Sequence, residues 1–250
     1  MTSVSLTIGG ARPVLGTFGK GLAGAVALNF GRSGGRHCAT GCPYHPASTS
    51  PHAEPERARC YAATCERRPD RLALAAKLAR HEDAGPAEVV AAAVVELDHR
   101  GWRLPWFRLS AFGSVPAKVP AGLAGLLARL AAVGTPVHLP VETGRKAAAY
   151  RRGLAGVPVV VRESVAGPRR WLAAGGPCST VAGSMEQRPR ERVEAAKAAA
   201  RARTAAVGRR CIVCPAVAAS ALRTGSTRAK CGACIACADP AVDVGYPVHR

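Results

Sequence analysis

Cys211-x-x-Cys214-Pro215, fifteen further residues, and Cys231-x-x-Cys234-x-x-Cys237 place five thiols in the last quarter of the chain. A segment this short and this poor in large apolar side chains can hardly build a hydrophobic core, and a bound metal centre is the natural way to hold it together. Two ligand sets fit. Cys211 with Cys214 and Cys231 with Cys234 have the spacing of a tetrahedral zinc site, which leaves Cys237 spare. The run Cys231, Cys234, Cys237 also matches the three-thiol run of ferredoxins, completed by a distant Cys-Pro such as Cys214-Pro215, and then every thiol of the run is used. Spacing alone does not choose between zinc and a [4Fe–4S] cluster.

The chain holds ten cysteines in 250 residues, a usage that points to metal rather than disulfides where thiols are kept reduced. Met1 to Leu15 lacks a basic start leading into an apolar run, Gly21 to Phe30 is short and broken by glycine, and no stretch is long enough to span a bilayer. A cytoplasmic protein with no membrane partner is expected. The formal net charge of +19 suits a polyanionic partner, whereas an aromatic content of 4% speaks against base-stacking platforms.

The apolar pattern divides the chain into a glycine-rich start and Cys-rich loop (1–68), a strand–helix core (69–207) and a Cys-rich metal module (208–250). In the core, Pro69 and Pro86 fit first helical positions. Leu72, Ala75, Ala76 and Ala79 mark one helical stripe, and Val90, Ala93, Val94 and Leu97 a second that stops at Gly101. Strands are expected at Ala25 to Phe30, Trp106 to Phe112, Val137 to Pro140, Val157 to Val161 and Cys178 to Ala182. Helices marked by Leu123 to Leu130, Arg145 to Arg152, Pro168 to Ala174 and Arg188 to Val207 fall between the later ones. Near-continuous apolar strands alternating with helices predict an α/β fold with a parallel sheet, either a partial (β/α) barrel or an open doubly wound sheet.

In both architectures ligands meet the residues just past the carboxyl ends of the strands. Ser110, Gly113 and Ser114, then Glu142, Thr143 and Arg145, then Arg162, Glu163 and Ser164 occupy those positions, so Ser110, Glu142, Arg145, Glu163 and Ser164 are candidates for a shared pocket. Helix N-caps and turns use the same residue types.

His37, Cys38, Cys42, Cys60 and Cys65 form a second ligand-rich group in the first loop, where a zinc knot is the structural alternative to a cluster. Three thiolates can hold three corners of a four-iron cluster and leave the fourth iron open to a ligand such as S-adenosylmethionine. The lone Cys178 reads as a small buried residue. Among His45, His52, His81, His99, His138 and His249 no ligand spacing exists, and His138 stands out only because it sits inside an apolar strand. Between Arg188 and Arg210, eight basic residues (Arg188, Arg190, Arg192, Lys197, Arg201, Arg203, Arg209, Arg210) outnumber Glu191 and Glu194, a surface able to neutralise nucleic-acid phosphates.

Cys42-Pro43, Cys60-Tyr61-Ala62, Arg108-Leu109-Ser110 and the closing Lys230 to Cys237 run, in that order, resemble the phage "gene product eighty-eight" family. That family is similar to the radical S-adenosylmethionine superfamily. The resemblance implies a radical-SAM-like partial barrel and a first cluster on Cys38, Cys42 and Cys60 with Cys65 or His37 as a further ligand, and the basic charge adds nucleic acid or a nucleotide as the expected target. Where relatives carry Ser-Gly-Asp after the first barrel strand, this chain has Ser110-Ala111-Phe112-Gly113-Ser114 and lacks the acid.

Overall fold

A computed structural model describes residues 14–17, 25–32, 35–38, 72–110, 114–141, 144–166, 177–182, 187–215, 218 and 236–247. The described residues belong to two compact units, the first within Met1–Phe18, Gly24–Val137 and Ala148–Val159, the second within Gly19–Ala23, His138–Ala147 and Val160–Arg250. Both are α/β.

In the first unit, β1 (Gly16–Thr17) runs antiparallel to β2 (Val26–Leu28), and β2 pairs in parallel with β3 (Phe107–Leu109) in the register Val26 to Phe107 and Leu28 to Leu109. Residues 25–30 are all buried, the continuous apolar pattern of a parallel strand covered on both faces. A parallel pair needs a crossover, and α1 (Leu72–Ala84) and α2 (Pro86–Arg100) supply it. Pro86 sits in the first turn of α2. Gly101 ends that helix at φ 93°, a conformation that costs other residues a Cβ clash, and its N–H returns to the Leu97 carbonyl. Helix α3 (Leu123–Ala132) buries the expected stripe of Leu123, Leu126, Leu127 and Leu130.

Helix α1 turns a different face inward from the one its alanines predict. Ala76 is exposed, while Leu78, His81 and Glu82 are buried. Apolar spacing could not reveal this, because two of the three inward residues are polar and are buried through hydrogen bonds to the loop after β2.

The second unit is a parallel sheet of β4 (Val137–Val141), β5 (Val161–Ala166), β6 (Cys178–Ala182), β7 (Arg210–Val213) and β8 (Val242–Pro247), in the order β4-β5-β6-β8-β7. Each pairing in it is parallel. Helix α4 (Gly144–Gly153) follows β4, and α5 (Pro189–Val207) follows β6. The segment 208–250 thus adds two strands to this sheet, with β8 inserted between β6 and β7.

The strand expected at Val157 to Val161 begins only at Val161. Pro158 has no N–H for a ladder, and the preceding residues close turns instead, with Val157 N–H on the Leu154 carbonyl at 3.0 Å and Val159 N–H on the Val157 carbonyl at 2.8 Å. This shift moves Arg162, Glu163 and Ser164 from beyond the strand to within it. The helix expected at Pro168 to Ala174, and Pro69, lie outside the described residues. No helix among the described residues is long and apolar enough to cross a membrane.

Candidate metal centre

Strand β7 decides which way the C-terminal thiols face. Side chains alternate along a strand, so residues three apart point to opposite faces. Cys211 and Cys214 behave accordingly. Cys211 and Val213 pack with Cys178 and with Ala199 and Ala200 of α5. Cys214 is buried with Val242 and Val244 on the other side, and Ile212, Ala236 and Cys237 pack against that same cluster. Burial pushes the Cys211 thiol above its ordinary pKa. Its backbone N–H is taken by Thr204 Oγ1 at 3.2 Å. Cys231 and Cys234 lie outside the described residues.

The limb that carries Cys237 is fastened to the sheet by Arg162. This side chain is completely buried. Its Nε donates to the Cys237 carbonyl at 3.1 Å, Nη1 to the carbonyls of Cys178 at 3.0 Å and Val242 at 2.8 Å, and Nη2 to those of Ala236 at 3.2 Å and Asp239 at 2.9 Å. An arginine has five N–H donors in a planar fork, and here each has a carbonyl. A buried cation is tolerated only when its donors are satisfied in this way.

Asp243 stands beside it, also fully buried. The register sets Asp243 between Cys178 on β6 and Cys211 on β7, a row of three on the α5 side of the sheet. Its carboxylate accepts the Cys178 N–H at 3.0 Å, Arg203 Nε at 3.0 Å and Arg209 Nε at 3.3 Å, and Arg162 Nη1 lies 3.9 Å away. Three guanidinium groups therefore share one carboxylate.

The eight-residue basic surface expected along 188–210 is correspondingly reduced. Arg192 and Arg203 are buried, the former donating to the Gln187 carbonyl at 2.8 Å. Arg209 points to Asp243 and to the Pro240 carbonyl, and Lys197 pairs with Glu194 at 2.7 Å. Arg188, Arg190, Arg201 and Arg210 remain exposed. An open groove of about 570 Å³ is lined by Lys197, Arg201 and Thr204 of α5 and by Cys211 and Val213 of β7.

In the first unit, His37 and Cys38 sit in a turn nine and ten residues past Leu28, the last residue of β2, and Cys38 N–H bonds the Gly35 carbonyl at 2.9 Å. Glu82 of α1 clamps this turn. It accepts Arg32 N–H at 3.3 Å and Arg32 Nε at 3.1 Å, and a Cβ on Gly31 or Gly35 would force the Glu82 side chain out of this position. His81, one residue earlier, bonds the Asn29 carbonyl through Nδ1 at 2.6 Å, which makes Nδ1 the protonated nitrogen. Burial pushes its pKa below the usual histidine value, so the ring is neutral. Sequence reasoning passed over His81 because it has no partner in spacing. Cys42, Cys60 and Cys65 lie outside the described residues.

The strand-end candidates are spread over both units. Ser110 follows β3 in the first, its N–H on the Leu28 carbonyl at 2.8 Å, at φ 49°, buried, and with no partner for Oγ among the described residues. Arg145 is exposed in the first turn of α4. Glu163 pairs with Val141 at the end of β4 and reaches toward Gly144, and Ser164 Oγ lies 3.4 Å from Ser179 Oγ. Glu142 lies outside the described residues, and His138 is buried in β4. Among the described residues no three His, Cys, Asp or Glu side chains gather as metal ligands.

No protein-family model, no curated protein and no solved structure matches this chain.

Proposed function

We propose that this chain is a cytoplasmic iron–sulfur protein whose C-terminal [4Fe–4S] cluster is held by Cys214, Cys231, Cys234 and Cys237. The observation that carries the reading is the split of the Cys211-x-x-Cys214 pair. Cys214 shares its apolar cluster with Cys237, while Cys211 packs on the other face of the sheet, toward α5. The zinc pairing needs Cys211 and Cys214 on one ion; the ferredoxin-like set needs Cys214 alone. A soft, sulfur-only donor set in an apolar pocket suits iron–sulfur ligation.

The first cysteine group takes a second cluster on Cys38, Cys42 and Cys60, with Cys65 or His37 available as a further ligand. Cys38 stands past the carboxyl end of a parallel strand, where α/β proteins bind ligands. With three protein thiolates, the open iron would bind S-adenosylmethionine and supply reductive cleavage to a radical. The chain's own part is to fix the loop through Glu82 and to offer Ser110 at the adjacent strand end. This reading keeps the resemblance to the gene product eighty-eight family, the partial barrel and a nucleic-acid or nucleotide substrate, for which Arg188, Arg190, Arg201 and Arg210 supply exposed charge.

Anaerobic purification followed by iron, sulfide and zinc determination tests it. The expected result is a brown protein with iron and sulfide in equal amounts, in which Cys214→Ser lowers the iron content and Cys211→Ser leaves it unchanged. A colourless protein containing zinc and no iron overturns the reading. Equal loss on both substitutions overturns the ligand set. On the same preparation, binding to duplex DNA or RNA should weaken steeply with salt, and no binding at low salt would remove the nucleic-acid partner.

A further inference from the structure

We propose that Arg162 is the positioning residue of the C-terminal centre, holding the Cys237 limb in its bound geometry before metal arrives and offsetting the negative charge of the thiolates once it has. The inference rests on the ligand set proposed above. Its basis is the five-fold donation by a fully buried guanidinium to the carbonyls of Cys178, Ala236, Cys237, Asp239 and Val242. Four of those carbonyls lie on the segment 236–242, which joins the last ligand to β8. The fifth opens β6.

Lysine cannot replace this arrangement, since its three donors radiate from one atom and cannot span five carbonyls. Among the described residues, the carboxylate nearest this cation is divided among three guanidinium groups, so net positive charge remains. Asp243 is 3.9 Å away and is shared with Arg203 and Arg209. Burying net positive charge is costly unless further negative charge lies close. A cluster bound by four thiolates supplies it, and Arg162 touches the backbone of one of its ligands. Groups that orient a ligand from behind typically control metal affinity by roughly 10–100-fold, and nearby charge sets cluster potential.

The test separates charge from placement. In the full chain, Arg162→Lys keeps the charge and loses the fork; Arg162→Gln loses both. Both variants should lose iron to a chelator roughly 10–100-fold faster than wild type. Redox titration should give a more negative midpoint potential for Arg162→Gln and a near-wild-type value for Arg162→Lys. Unchanged iron retention in both variants overturns the placement role, and an unchanged potential in Arg162→Gln overturns the charge role. Hydrogen exchange on wild-type apoprotein needs no variant, so a folding defect cannot confound it. Amides of 236–242 should exchange as slowly as those of β8, and fast exchange there overturns preorganisation. A wild-type protein that binds no iron refutes the proposed function, whereas an iron-loaded one with unaffected variants refutes Arg162 alone.

Discussion

Replacing Asp243 with Asn should cost the protein about 3–5 kcal/mol of stability, the usual penalty for removing one partner of a buried ion pair. Asp243 and Arg203 are both fully buried, and the carboxylate also receives Arg209 and the Cys178 N–H. An amide is nearly the same size, so little of the loss comes from packing. It has one acceptor oxygen where the carboxylate has two, and it turns an NH2 group toward a guanidinium. The Arg203 charge then stays in the interior without the counter-charge 3.0 Å from its Nε. For a chain of this length each kcal/mol moves the midpoint by roughly 2–4 °C, so thermal unfolding followed by circular dichroism should shift down by roughly 6–20 °C. Urea titration supplies the free energy directly. The companion double variant Asp243→Leu with Arg203→Met should recover part of the loss, because an apolar pair of similar volume often replaces a buried ion pair at no net cost, while the Cys178 N–H still loses its acceptor. Arg162 keeps its five carbonyls in that variant, and Arg209, about a quarter exposed, can turn to solvent. A loss below about 1 kcal/mol for Asp243→Asn would place this site with exposed ion pairs, and the account of the buried row would then be wrong.

Two further outcomes concern the first unit. His81 has a folded pKa below its ordinary 6.5, chiefly through burial, so the unfolded chain binds the proton more tightly. Stability should be full above the unfolded value and fall as pH drops below about 6.5, by up to about 1.4 kcal/mol per pH unit until the folded ring protonates. His81→Gln should flatten that segment of a urea-midpoint-against-pH curve, and an unchanged slope would show that another group titrates. Ser110 holds a left-handed conformation at φ 49° with no partner for its hydroxyl among the described residues, so Ser110→Gly should raise stability by about 1 kcal/mol. A fall in midpoint on differential scanning calorimetry would mean that the hydroxyl has a stabilising partner after all.

What the sequence made legible was apolar period and punctuation. Pro86 and Gly101 bracket α2, the leucine stripe of α3 is buried as spaced, and Cys178 to Ala182 is β6. These features depend on neighbours within one or two turns. The strand at Val161 was placed too early because Val157 to Val161 is apolar throughout, and only the missing Pro158 donor and the turn before it decide where pairing starts. Strands β7 and β8 are short and lie in 208–250, where cysteine spacing outweighs any apolar alternation.

The site was hidden for a deeper reason. A charged residue in a sequence reads as surface, and a strand containing Arg162 reads as ending there. Its burial becomes affordable only when carbonyls 16 to 80 residues away converge on it, and no local pattern encodes that convergence. The same holds on α1, where His81 and Glu82 turn inward because the loop after β2 presents a carbonyl and backbone N–H groups to them. Cysteine spacing fails differently. A C-x-x-C motif implies convergence only if the backbone turns between the thiols. Laid along β7, the same spacing sends Cys211 and Cys214 to opposite faces, so the local conformation, and not the count of intervening residues, determines which thiols can share an ion.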